Sequence, residues 1–129
     1  MLTLFVVAAI IGALPPPAPD RRPVPILMYH VIAPPPPGAR YPGLYVRPAE
    51  FAGEVRWLAR NGYRAVTLER VWNAWHGRAR LPRRPVVLSF DDGYRSDFTT
   101  ALPVLSRLRW PGVQRQMPDS DFPDPAPAR

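Results

Sequence analysis

The 129-residue chain contains no cysteine, so disulfides and thiolate metal centres are excluded, although this alone does not exclude export. Lysine is missing as well: all seventeen basic residues are arginine, against ten acids, for a formal charge of +7. The arginines are dispersed, with no basic helix and no aromatic-interleaved patch, so no nucleic-acid partner is expected. A basic surface of this kind still favours loose contact with anionic polymers or lipid headgroups. No apolar run reaches the roughly twenty residues needed to span a bilayer. The length suits one small domain, and because both ends are poor in foldable material the useful part is nearer roughly 95 residues.

What is present begins with Leu2 to Leu14, LTLFVVAAIIGAL, an uncharged apolar run. Its length fits the hydrophobic part of a secretory signal or a short uncleaved anchor, and a buried amino-terminal helix is the alternative. Residues 15–23 hold Pro15, Pro16, Pro17, Pro19 and Pro23, and read as an extended linker. The placement puts the following domain just outside a membrane, exported or anchored at the cell envelope.

The stretch with most chemical content is Val86-Val87-Leu88-Ser89-Phe90-Asp91-Asp92-Gly93-Tyr94. Its apolar, β-branched first half is a short buried strand, and Gly93 permits a sharp exit. Two carboxylates at a strand end can face one pocket from different directions, one fixing a divalent cation and the other taking a proton from the water the cation acidifies. The plainer alternative is a solvated Asp-Gly turn with one Asp capping the next helix. Earlier, Val24 to Val31 is a first strand with Ile26 to Tyr29 as its core, and His30 stands at its carboxyl end, where α/β folds present functional groups. Proline and glycine make residues 32–46 a loop.

Between these strands, Phe51, Val55 and Leu58 recur at helical spacing after Pro48, with Trp57 widening the stripe and Asn61-Gly62 as the stop. Tyr63 to Val66 reads as a short strand. Thr67 caps a second helix whose inward residues are expected to be Leu68, Val71 and Trp75, closed by His76-Gly77. A third helix starts at Ser96 or Asp97 and buries Phe98, Ala101, Leu102, Leu105 and Leu108, with a distortion at Pro103. Strand and helix alternate three times, which argues for an α/β fold with mostly parallel strands.

Four stretches in this order resemble the polysaccharide deacetylase family and its NodB-type catalytic domain: Val24 to His30; Pro48-Ala49-Glu50-Phe51 through Asn61-Gly62-Tyr63 with Thr67-Leu68; Ser89-Phe90-Asp91-Asp92-Gly93-Tyr94; and Ala101-Leu102-Pro103-Val104-Leu105. The resemblance covers Val24 to about Gly112. It implies the amino-terminal part of a distorted (β/α) barrel and metal-dependent hydrolysis of N-acetyl, occasionally O-acetyl, groups on a carbohydrate polymer. It further implies Asp91 as general base, Asp92 as ligand of a divalent metal, often zinc, and His30 as a pocket histidine.

The chain departs from the family's pattern after Trp110-Pro111-Gly112. No histidine follows His76, so the family's paired metal-binding histidines are missing, and Gln114 to Arg129 show no strand-like run. The resulting expectation is a partial deacetylase domain over 24–112, truncated after the first catalytic motif. A disordered tail over 113–129, weak or absent metal binding and no activity of the chain alone complete it. The missing half could come from another polypeptide. A different reading is a noncatalytic, envelope-associated carbohydrate-binding fragment that stacks sugars on Trp57, Trp72, Trp75 or Trp110.

Overall fold

In a computed structural model of the protein, the described residues are 15–115. The apolar run 2–14 and the segment 116–129, with the leader and tail expectations attached to them, lie outside the described residues. Among the described residues no helix is long and apolar enough to cross a membrane.

The fold is built on one strand. β3 (Pro85–Asp91) is buried along its whole length, as its near-continuous apolar composition dictates for a strand covered on both faces. It pairs in parallel with β1 (Ile26–Tyr29), with β2 (Arg64–Ala65) and with β4 (Val113–Arg115). The helices α1 (Pro48–Arg60), α2 (Leu68–Trp75) and α3 (Leu102–Leu108) fall between the strands, giving the α/β alternation expected from the sequence. The sheet is open: β3 is the common partner, and the other three strands do not close it into a barrel.

Period-two alternation divides the sheet into two faces. Val86, Leu88 and Phe90 of β3 join Tyr29, the α1 stripe Phe51, Val55 and Leu58, and Leu105 of α3 in the main core. Tyr29, Phe51 and Phe90 meet as aromatic pairs with centroids 5.1 to 6.0 Å apart. Burying an aromatic or large aliphatic side chain of this kind is worth about 1.5–3 kcal/mol, so this face supplies most of the fold's driving force. The opposite face carries Val87, Ser89 and Asp91. Val87 packs there with Val66 and Val71 in a smaller cluster, while Ile26 and Met28 of β1 stay more than half exposed.

Several sequence expectations need correction. Residues 113–115 were expected to open a structureless tail, yet they form β4, paired Ser89 to Val113 and Asp91 to Arg115. The polar side chains of Gln114 and Arg115 hide a strand held by backbone bonds at an exposed edge. Gly112 permits that approach, because a Cβ there would lie 2.9 Å from the Phe90 ring. On α2 the buried residues are Val71 and Ala74, whereas Leu68 and Trp75 are exposed. On the third helical segment Ala101 and Leu105 are buried, whereas Phe98, Leu102 and Leu108 are exposed, and Trp57 of α1 is exposed against Tyr63. In each case the apolar side chain lies on the rim of a helix stripe wider than the sheet it covers.

The distortion expected at Pro103 is a π-helical turn over Asp97–Ala101, in which the Leu102 N–H reaches back to the Asp97 carbonyl. Proline at the second position of α3 lacks an N–H, and the widened turn before it rearranges the ladder around that missing donor.

Candidate active site

The residues singled out from sequence stand at or just past the carboxyl ends of two neighbouring strands: Asp91 and Asp92 after β3, His30 after β1. Asp91 is the last residue of β3, and only 8% of its surface is exposed. A buried carboxylate needs donors, and the nearest comes from its own strand: Ser89 Oγ donates to Asp91 Oδ1 at 2.7 Å. Ser89 lies two residues earlier and thus on the same face. That bond fixes the carboxylate's rotamer and leaves Oδ2 as the less constrained oxygen.

Asp92 differs in kind. Its backbone is left-handed, with φ of 71°, and Gly93 follows at 69°. Asp is among the few side chains that tolerate this region, so the doublet combines a buried carboxylate with a half-buried one on a tight turn. The Asp92 N–H donates to the Arg115 carbonyl at 2.9 Å, which anchors the turn to β4. The solvated-turn alternative thus describes Asp92-Gly93 and not Asp91.

His30 follows Tyr29, and Tyr29 pairs with Phe90. The pairing with β3 ends there, and Val31 bridges to Tyr45, so His30 stands one residue past the carboxyl end of β1, next to the strand that ends in Asp91. The His30 side chain is half-buried. Beside it the chain is pinned twice: the Val31 N–H donates to the Leu44 carbonyl at 3.1 Å, and the Ile32 N–H donates to Ser96 Oγ at 3.0 Å. The second bond ties the segment after β1 to the segment after the Asp-Asp-Gly turn. Sequence reading missed Ser89 and Ser96, although the i, i+2 relation of Ser89 to Asp91 on a strand was a usable signal. It also missed Asp97 as a buried carboxylate, whose Oδ2 accepts from Gln114 Nε2 at 3.3 Å.

His76 stands apart from this edge, its ring tilted against Trp72 with centroids 4.1 Å apart at the end of α2. That suits the structural role its position suggested.

These residues do not by themselves fit a divalent metal. Among the described residues, no three His, Asp or Glu side chains come together to hold an ion. Zinc sites take three or four protein ligands, and Asp91 already accepts from Ser89.

Comparison with known proteins bears on this edge. No family model matches the chain. A poly-beta-1,6-N-acetyl-D-glucosamine N-deacetylase of Escherichia coli (strain K12) is 40% identical over 68 residues, covering 53% of this chain and 10% of that protein. Among solved structures, a de-N-acetylase from Aggregatibacter actinomycetemcomitans superposes with a TM-score of 0.64 at 25% identity, over 79% of this chain and 45% of that one. Over the part that it matches, the chain is similar to members of the polysaccharide deacetylase family. The Streptococcus pyogenes deacetylase PplD in complex with acetate is similar as well, with a TM-score of 0.62 at 27% identity over 70% of this chain and 41% of that one. The chain therefore spans about a tenth of the curated deacetylase and under half of these two solved ones. This similarity supports a hydrolase lineage, and the described residues show no full metal-binding cluster.

Proposed function

We propose that this protein carries the general-base part of a carbohydrate N-deacetylase site, with Asp91 as the base. The observation that carries the reading is the placement of Asp91: buried, held by Ser89 and at the carboxyl end of the central strand, whose neighbour β1 ends one residue before His30. In the reaction, a water oxygen bonds to the acetyl carbonyl carbon while Asp91 takes its proton. The carbon–nitrogen bond then breaks, releasing acetate and leaving a free amine on the sugar. To His30, just past the end of β1, this reading gives the holding or return of a proton, a task to which an imidazole is suited. Asp92 is a single carboxylate donor toward a metal.

Because the described residues lack a full donor set, the polypeptide alone is expected neither to hold zinc nor to release acetate. An N-acetylated glucosamine polymer at the cell envelope is the substrate class this reading favours, by similarity to the relatives' named activity. The domain limits proposed are 15–23 as linker and 24–112 as the deacetylase-like portion, extended by β4. Zinc titration of the purified chain, with far-ultraviolet circular dichroism and acetate release from N-acetylglucosamine oligomers, tests it. A folded chain with no bound zinc and no acetate fits, and one equivalent of zinc lost on Asp92→Asn contradicts the incomplete donor set.

One observation favours the second reading, a noncatalytic carbohydrate contact. Trp72 and Trp75 are exposed and, with Leu68, Val71, Ile26 and Val87, line a cavity of about 390 Å³ on the open face of the sheet. Trp110 is buried and Trp57 rests on Tyr63, so only this pair shares a groove. Quenching of indole fluorescence by glucosamine oligomers, lost on Trp72→Ala, would support it.

A further inference from the structure

In a parallel α/β arrangement the amino ends of the strands and the carboxyl ends of the helices lie at one end of the fold, and most of the described arginines stand there, while Arg40, Arg47, Arg70, Arg95 and Arg115 lie toward the other end. At this end Arg60 and Arg109 close α1 and α3, and Arg64 opens β2. Arg78, Arg80, Arg83 and Arg84 fill the loop into β3, and every one of these side chains is exposed. The single described acid there is Asp20, which is paired to Arg22 at 2.7 Å. The other six acids of the described residues lie toward the opposite end. Glu50 and Glu69 sit in first helical turns, Glu54 binds the Tyr29 hydroxyl at the end of β1, and Asp91, Asp92 and Asp97 stand at or just beyond the end of β3.

The arginines are also held in place without losing charge. Arg22 donates to the carbonyls of Arg83 and Pro82, Arg70 to that of Arg80, and Arg84 to that of Asn61. Carbonyl partners shape the basic loop without neutralising it, and of these three donors Arg22 alone is also paired with a carboxylate, that of Asp20. The chain also enters the domain at this end. Asp20 N–H donates to the Ala74 carbonyl at 2.9 Å, and a Cβ at Gly77 would meet the Pro17 carbonyl at 2.8 Å, so residues 17–22 run past the carboxyl end of α2. In sequence, the apolar run Leu2 to Leu14 lies just before this strap.

We propose that this basic end docks on an anionic lipid surface. An apolar segment and a polybasic patch are the two signals that together make a stable membrane attachment, and in this sequence the apolar run precedes the strap that enters the domain at the basic end. The seven residues of β3 at about 3.3 Å each then hold Asp91 roughly 20 Å from the lipid headgroups, facing away from them. Nucleic acid shares the phosphate chemistry but offers nothing to the apolar run.

The test is sedimentation of the full chain with phosphatidylcholine vesicles and with vesicles holding about a third phosphatidylglycerol. Preference for the anionic vesicles should fall on the order of a hundredfold in an Arg78→Gln, Arg80→Gln, Arg83→Gln variant. An Arg40→Gln, Arg47→Gln, Arg95→Gln variant makes the same change in net charge at the opposite end and should keep the preference within about threefold. Circular dichroism checks both folds. Should the first variant unfold, the single Arg78→Gln and Arg80→Gln changes must each cost roughly fivefold. Equal loss in the two triple variants, no preference for anionic vesicles, or tighter binding to duplex DNA at the same salt would overturn the proposal.

Discussion

Replacing Ser89 by alanine tests whether Asp91 is held by its own strand. The bond from Ser89 Oγ to Asp91 Oδ1 is 2.7 Å long, and both residues are about 8% exposed, so water cannot readily replace the lost donor. A hydrogen bond to a charged group contributes about 1.5–3 kcal/mol, and truncating one partner strands the other in a poorly solvated place. Ser89→Ala should therefore lower unfolding free energy by about 1.5–3 kcal/mol, although the side chain itself is small. Urea unfolding of Ser89→Ala, Asp91→Ala and the double variant separates the pair's contribution from local packing. The cycle should give a coupling of at least about 1 kcal/mol. Additive single effects, within about 0.3 kcal/mol, would refute the idea that Ser89 positions the carboxylate.

Other consequences are independent of that bond. Gly112→Ala drives a methyl group into the Phe90 ring and close to Leu105, and should cost about 1–3 kcal/mol with loss of amide protection at β4. Phe51→Ala removes a fully buried ring that touches both Tyr29 and Phe90, and should cost about 3–5 kcal/mol, enough to unfold so small a domain. Burial first, and then the hydrogen bond to Glu54, push the Tyr29 phenol well above its ordinary value. A folded value above the unfolded one of about 10 means stability is fully present below that pH and is lost as pH rises toward the folded value. Tyr29→Phe should therefore flatten the alkaline fall in thermal stability. The Arg22 hydrogen bond holds Asp20 below the usual carboxylate range. That contribution is present above about pH 4 and lost as pH falls, so amide exchange in the strap should accelerate in acid before the core opens.

The order of elements was legible because each signal was local. The apolar run before Asp91 required a buried strand, Phe51, Val55 and Leu58 traced one helical face, and Thr67 capped α2 by accepting from the Arg70 N–H. The exposure of Leu68, Trp75, Phe98 and Leu102 was not legible, since hydrophobic spacing defines a stripe without saying how wide a surface covers it. β4 escaped for a different reason: three residues with two polar side chains carry no pattern, and their pairing depends on the missing side chain of Gly112. At the site, the family motif pointed to Asp91, Asp92 and His30, and strand alternation supplies the part the motif left unstated, the bond from Ser89. The left-handed turn at Asp92 was foreshadowed only by Gly93 beside it.

Acetate release by a chimera measures the central assignment most directly. Residues 24–115 would replace the matching segment of a deacetylase that spans the whole fold, so that the remaining groups of the site come from the host. The account predicts a folded chimera that releases acetate from N-acetylglucosamine oligomers and loses about 10²–10⁴-fold in rate on Asp91→Asn. A folded chimera that is inactive, or one whose rate is unchanged by Asp91→Asn, would contradict Asp91 as the base.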